Sequence, residues 1–370
     1  VPRLTSGKWG MFFSFYDCFL QIHFSFKLIE FIICPNKRSV SEIEMSHSAT
    51  TNTSWEVMAN EASRACEQPA VSVIVTLFNY SAYIRNCLDS LRASKAEDLP
   101  GGFEVVVVDD GSTDPSVSVV EDYMRANPLP ICLVKKKANT GLADARNIGL
   151  LTARAPLAFI LDADNEIRPE CLSAHYNALA TSDCAMAYAV INRFDDATRK
   201  KLDPVSHSEW DVRTLVSRPY IDAMAMVRKE TVQKLGGYST EYGTILPQGW
   251  EDYDLWLKLA QAGYSGKLIP RVLSDYRLHP QSMLKTTRPY QRELATYFSR
   301  KFHVLVQRHN DLPVYFGVSR RELAIANGEN AWLKPRPGSR PQNLIHRLLG
   351  EKICRSLSKR LTTVYLWLYP

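Results

Sequence analysis

Four short apolar runs, rich in β-branched residues and each followed by a polar cluster, constrain this chain most. Val71–Leu77 (VSVIVTL) leads into Phe78-Asn79-Tyr80, and Phe103–Val108 (FEVVVV) into Asp109–Asp114. Ile131–Val134 precedes Asn139-Thr140-Gly141, and Leu157–Leu161 ends at Asp162-Ala163-Asp164. Between the runs lie segments of helical character: Tyr83–Leu91, a stretch reaching Ala126, Leu142–Ala153, and Glu170–Thr181 behind Pro169. Strands alternating with helices of this length predict a parallel sheet covered on both faces. Ligands of such sheets bind beyond the carboxyl ends of the strands. Each polar cluster lies at such an end.

Asp162 and Asp164 are two residues apart at the end of a strand, so their side chains share a face. Two neighbouring carboxylates repel unless a positive charge joins them. A divalent cation with oxygen ligands answers that need and bridges to phosphate oxygens. Taken alone, so short a pattern is more often a solvated loop or a helix cap. The chain has no GxGxxG after its first strand and no GxxxxGK[ST], so the usual phosphate cradles of dehydrogenases and P-loop enzymes are missing. A metal-held diphosphate is then the natural alternative.

Taken in order, VSVIVTLFNY (71–80), VVVVDDGSTD (105–114), NTGLADARNIGL (139–150), FILDAD (159–164), GWEDYDLWLKLAQAGY (249–264) and YRLHPQS (276–282) resemble the family 2 glycosyltransferases. The resemblance covers roughly residues 69–282. It implies a GT-A fold, with a Rossmann-like, mostly parallel central sheet flanked by helices, and an inverting reaction. By position it implies that Thr76, Phe78 and Asp110 line the nucleotide base, with Asn79 beside them. Asp162 then falls near the ribose, and Arg146 on the nucleotide side of the cleft. Asp164 and Asp162, with His279 as a third ligand, would hold Mn²⁺ or Mg²⁺, and the mixed nitrogen and oxygen donors suit Mn²⁺ somewhat better. Phe78 stands where a Tyr is common, which keeps stacking and loses a hydroxyl. Asp144 stands where many members carry a small residue.

In the second half, Ile221–Val227 reads as a strand leading into a short helix that ends at Gly236-Gly237. Ser239–Gln248 reads as a mobile flap over a cleft. Glu251, Asp252 and Asp254 crowd the first turn of an apolar-faced helix, where acids also serve the helix dipole. The resemblance makes Asp252 the catalytic base and Glu251 a neighbour that orients or contacts the acceptor. A sugar hydroxyl needs such a base, because it attacks poorly until its proton is taken. Trp250 is either a platform for an acceptor sugar or a core residue.

Charge is uneven along the chain. From Lys285 onward there are 16 Lys and Arg against 5 Asp and Glu, while the whole chain carries a net +6. Residues 344–368 alternate apolar and basic positions at helical spacing. They fit an amphipathic helix on an anionic membrane, or equally a helix docked on the catalytic domain. Nucleic acid is not an expected partner, since no recognition motif accompanies the charge.

Trp9–Pro35 is apolar and long enough to span a bilayer, but Asp17, His23, Lys27 and Glu30 interrupt it. It reads as a buried or interfacial segment, or as a stretch upstream of a working start at Met45. Residues 46–68 read as a polar lead-in. Eight scattered cysteines without CxxC pairs fit reduced thiols of a cytoplasmic protein.

The expected organisation is an N-terminal extension (1–68), a catalytic domain (69–284) and a basic helical extension (285–370). The expected activity is transfer of a sugar from a nucleoside-diphosphate donor, UDP-linked, to a glycan or lipid-linked acceptor in cell-surface polysaccharide or glycoconjugate synthesis. It would take place at the inner face of a membrane. Two rival readings are a non-catalytic sugar-nucleotide or glycan-binding module and a sugar nucleotidyltransferase. The latter would carry a Gly-rich basic loop after the first strand, and Thr76–Tyr80 has none.

Overall fold

The computed structural model describes residues 54–241, 249–280, 282 and 288–329. Its centre is a ten-stranded sheet. In chain order the first strands are β1 (Trp55–Ala59), β2 (Val71–Leu77), β3 (Phe103–Asp109), β4 (Ile131–Lys136), β5 (Leu157–Asp162) and β6 (Glu166–Ile167). They are followed by β7 (Met186–Asp195), β8 (Lys201–Val205), β9 (Ala225–Arg228) and β10 (Gly266–Leu278). The spatial order is β1-β4-β3-β2-β5-β9-β7-β10-β6, with β8 paired to β7. Strands β4, β3, β2 and β5 are mutually parallel, and so are β7 and β10. Strand β9 runs antiparallel to both of its neighbours, β5 and β7. The sheet is therefore mixed, with a parallel half that carries the nucleotide-type motifs.

Helices α1 (Glu61–Ala65), α2 (Ile84–Arg92), α3 (Ser116–Ala126), α4 (Leu142–Thr152), α5 (Cys171–Ala180), α6 (Val212–Ser217) and α7 (Lys229–Lys234) connect these strands. Every residue of β2 and β3 is buried. Val73 and Val75 enter one apolar core and Ile74 another, so alternate residues of one strand serve the two faces of the sheet. Burial on both faces is what makes these strands read as unbroken apolar runs.

Two expectations change. The supposed lead-in contains β1, which pairs antiparallel with β4, and α1, whose N-cap Asn60 accepts from the Ser63 N–H at 2.9 Å. As an edge strand with three of its five residues exposed, β1 lacks the apolar signature of its neighbours. The strand expected at Ile221–Val227 begins only at Ala225. The Asp222 carboxylate accepts the Met224 N–H at 3.0 Å and holds residues 222–224 in a turn.

Helix α8 (Glu251–Gln261) follows the parallel half, and α9 (Gln291–Lys301), α10 (His303–Arg308) and α11 (Arg320–Glu329) come later. Phe298, Phe302, Leu305, Phe316 and Leu323 share one core with Trp256 and Leu257 of α8. The described part of the basic extension is thus built into the body that carries the acidic helix. Lys301 fastens it. Its Nζ donates to Ser239 Oγ at 2.7 Å, Glu241 Oε1 at 2.8 Å and Asp254 Oδ2 at 2.6 Å. Residues 344–368 and 9–35 lie outside the described residues, as does most of the expected flap.

Candidate active site

Where β2 and β3 end side by side, their loops are stitched together by Asn79. Its Oδ1 accepts the Thr113 and Asp114 N–H groups at 2.8 and 3.3 Å, and its own N–H donates to Ser112 Oγ at 2.9 Å. Asn79 adopts φ 57°, a left-handed conformation that Asn tolerates. This fastening leaves the Phe78 ring 41% exposed at the strand end, free to stack on a planar ligand.

Asp110 is nearly buried and spoken for. It accepts Lys136 Nζ at 2.5 Å and the backbone N–H groups of Thr140 and Gly141 at 3.0 and 2.9 Å. It therefore clamps the 139–141 loop against β3. Lys136 also binds Asp144 at 2.7 Å, which explains an acid at that position on α4: it shares a buried cation with Asp110. Asp109, absent from the sequence-derived set, keeps Oδ1 buried with no partner among the described residues, and burial pushes its carboxyl up. The adjacent acids at 109 and 110 were the available signal.

Arg146 of α4 joins the two halves. It is 1% exposed, and its two arms reach Asp162 Oδ1 and Glu251 Oε1, each at 3.0 Å. Thr76 donates to the same Asp162 oxygen at 2.9 Å. The guanidinium also lies over the buried Tyr238 ring at 5.4 Å. Asp164 stands apart from this pair and meets His279 Nε2 through its Oδ2 at 2.9 Å. Burial raises the Asp164 carboxyl against the opposing pull of His279. The imidazole is packed against the Tyr83 ring at 4.8 Å.

The three acids of α8 have three different surroundings. Asp254 is fully buried and holds Ser239 and Lys301. Glu251 is bound to Arg146, with burial raising its carboxyl and the guanidinium lowering it. Asp252 is only partly buried. Burial pushes its carboxyl well above the ordinary range, and the charges of Glu251 and Asp222 add to the shift against Arg146. Ahead of them Gly249 takes φ 141° and Trp250 φ 68°. For a bulky residue the latter is a strained backbone of the kind that gathers at functional sites.

A cavity of about 280 Å³ opens here. It brings together five expected residues, namely Arg146, Asp162, Trp250, Glu251 and Asp252. Trp250 is on its wall while its ring also packs on Tyr253 and Phe298 at 5.4 and 5.7 Å, so the residue is part of the core and faces the cavity. The lining does not include Thr76, Phe78, Asn79, Asp110, Asp164 or His279, which stand at the neighbouring strand ends. It does include Asp222, which the sequence pattern places within the strand expected at Ile221–Val227.

For a metal, the donors present are two carboxylates and an imidazole, a set that suits a divalent ion. Asp164 and His279 are already together, whereas Asp162 is turned to Arg146 and Thr76. Among the described residues, no group of three His, Cys, Asp or Glu side chains is arranged to hold an ion.

Residues 72–236 match the family described as Glycosyl transferase family 2. This stretch is a family 2 glycosyltransferase domain. Among its relatives, EpsH of Bacillus subtilis is 36% identical over 104 residues, covering 28% of this chain and 28% of that protein. The teichoic acid poly(glycerol phosphate) polymerase of Staphylococcus epidermidis is 30% identical over 32% of this chain and 16% of its own length. The chain thus spans well under two thirds of either relative. The amylovoran biosynthesis glycosyltransferase AmsE of Erwinia amylovora is 26% identical over 56% of this chain and 75% of its own.

Two solved structures share the GT-A fold at 20% identity. One is TarS 1–349 of S. aureus in complex with UDP-GlcNAc, with a TM-score of 0.51 over 64% of this chain and 66% of that one. The other is the mannosyltransferase PcManGT of Pyrobaculum calidifontis in complex with GDP-Man and Mn²⁺, with a TM-score of 0.52 over 86% and 85%. The family 2 domain ends its match at residue 236, before the cavity's Trp250–Asp252 wall.

Proposed function

We propose that the chain is an inverting glycosyltransferase that moves a sugar from a nucleoside-diphosphate donor to an acceptor hydroxyl. The observation that carries this reading is a partly buried carboxylate of raised proton affinity, Asp252, in one cavity with the Arg146–Asp162 pair at the end of the nucleotide-type strands. Asp252 takes the proton of the acceptor hydroxyl as its oxygen attacks the anomeric carbon. The bond from that carbon to the diphosphate breaks, and the electron pair leaves with the diphosphate. Attack from the opposite face inverts the configuration. Glu251, fixed by Arg146, keeps the start of α8 in register with β5. The exposed Phe78 ring supports stacking of the base.

Asp164, with His279 against it and Asp162 two residues before, is the set that would hold Mn²⁺ or Mg²⁺. When bound, such an ion supplies positive charge beside the leaving diphosphate. The Mn²⁺ held by PcManGT, which shares the fold, supports this choice. A UDP-linked donor is favoured by TarS, which shares the fold and holds UDP-GlcNAc. AmsE and the teichoic acid polymerase support polysaccharide-type assembly as the setting. An acceptor at the inner face of a membrane, reached by peripheral contact, fits the basic C-terminal part. No helix among the described residues is long and apolar enough to cross a bilayer.

The test is diphosphate release from a panel of UDP- and GDP-sugars with candidate acceptors, in Mn²⁺, Mg²⁺ or EDTA. Release from one donor that needs the ion and is lost in Asp164→Asn is the expected result. Donor binding without release under every condition would favour a binding module instead.

A further inference from the structure

The reaction needs one base, yet the cavity holds a carboxylate that it does not use. Strand β9 runs opposite to β5, pairing Leu157 with Arg228 and Phe159 with Met226. The segment that enters β9 therefore lies at the same sheet edge as the end of β5, where Asp162 stands. Asp222, three residues before β9, is delivered to that edge and lines the cavity with Asp252.

Its orientation is fixed from two sides. The Asp222 N–H donates to Ser206 Oγ at 2.9 Å, and its Oδ1 accepts the Met224 N–H at 3.0 Å. Ser206 is itself buried and held at φ 56°. Among the described residues, Oδ2 has no partner and neither oxygen has a cation in contact. Burial, reinforced by Asp162 and Asp164 against Arg146 and the Met224 N–H, pushes the Asp222 carboxyl up to about 6.

A fixed carboxylate oxygen without a partner requires a hydrogen-bond donor from its ligand. An anionic ligand group is disfavoured there, because Asp162, Asp222, Glu251 and Asp252 line the same cavity as Arg146 and Arg193, and Arg146 is already paired. A neutral hydroxyl meets the requirement. With Asp252 receiving the proton of the attacking hydroxyl, a second hydroxyl nearby on the same acceptor is the group that reaches Asp222.

We propose that Asp222 is a specificity-determining residue that accepts the hydroxyl next to the attacking one, so that the acceptor is a vicinal diol of a sugar ring or polyol. This rests on the glycosyltransferase reading.

The experiment uses the full chain with its donor and a panel of methyl glycosides and glycerol. The best of these acceptors is then compared with its monodeoxy counterparts. Wild-type turnover of the diol establishes the transferase reading by itself. In the wild type, removing the neighbouring hydroxyl is expected to lower kcat/KM about tenfold, the scale of one hydrogen bond to a charged group. In Asp222→Ala, transfer to the diol falls by a similar factor, and the deoxy acceptor loses nothing further. Asp222→Asn keeps an oxygen for the Met224 N–H and gives an intermediate loss. A diol-to-deoxy ratio in both variants equal to that of the wild type, with wild-type transfer intact, would overturn the role of Asp222 alone.

Discussion

Arg146 is the residue on which the two halves of the site meet. Its guanidinium sits between the end of β5 and the start of α8, paired with Asp162 and Glu251 at 3.0 Å each and almost wholly out of water. Removing one member of a buried pair leaves a stranded charge, a loss of about 3–5 kcal/mol. Arg146→Met is expected to lose stability on that scale in urea denaturation. Arg146→Lys recovers only part, since one ammonium cannot serve two carboxylates in a fork. Asp252 behaves in the opposite way. Its carboxyl holds a proton more tightly in the folded chain than in the unfolded one. It therefore favours the fold at acid pH, and that contribution is lost as pH rises from the ordinary Asp range through the raised folded value. Asp252→Asn should consequently raise Tm at neutral pH by about 2–4 °C. Because the base must be ionised to act, diphosphate release should climb as pH rises through neutrality. A rate that falls over the same range would remove Asp252 from that role.

At the scale of elements, loops at the carboxyl ends of strands do the positioning. Gly111 in the loop after β3 has φ +73°, and a Cβ there would come within 2.8 Å of the Ala138 and Asn139 backbone. Gly111→Ala is expected to displace the 139–141 loop, weakening donor binding in titration calorimetry at least about tenfold while the far-ultraviolet spectrum persists. The parallel strands were legible in the sequence because burial on both faces leaves them apolar throughout. The acids at their ends were legible because nothing else interrupts such runs so sharply. Strand β1 was not, since its exposed edge is polar. Asp222 was hidden because YIDAMAMV reads as one apolar run, and only the Asx turn to Met224 breaks it. The Lys136–Asp144 pair joins a strand to a helix across a loop, a contact that no local periodicity records. The direction of β9, which decides where Asp222 falls, is set by the whole sheet.

At the scale of the molecule, the helices after residue 288 complete the core beneath α8. Lys301, Phe298 and Phe302 join α8 and the 237–241 loop into one packed body. A chain ending at residue 284 would expose this apolar face and leave Asp254 with Lys258 as its one remaining lysine. It is expected to lose cooperative unfolding, whereas Lys301→Met alone should lower stability and keep the transition. The central claim is that donor binding, at the strand ends beside the cavity, and proton removal, within it, belong to different residues of one site. The measurement that tests it most directly compares donor affinity by calorimetry with diphosphate release for Asp252→Asn and the wild type. The account expects affinity within about threefold and release reduced by at least about a hundredfold. Release at the wild-type rate, or loss of binding and turnover in equal measure, would contradict it.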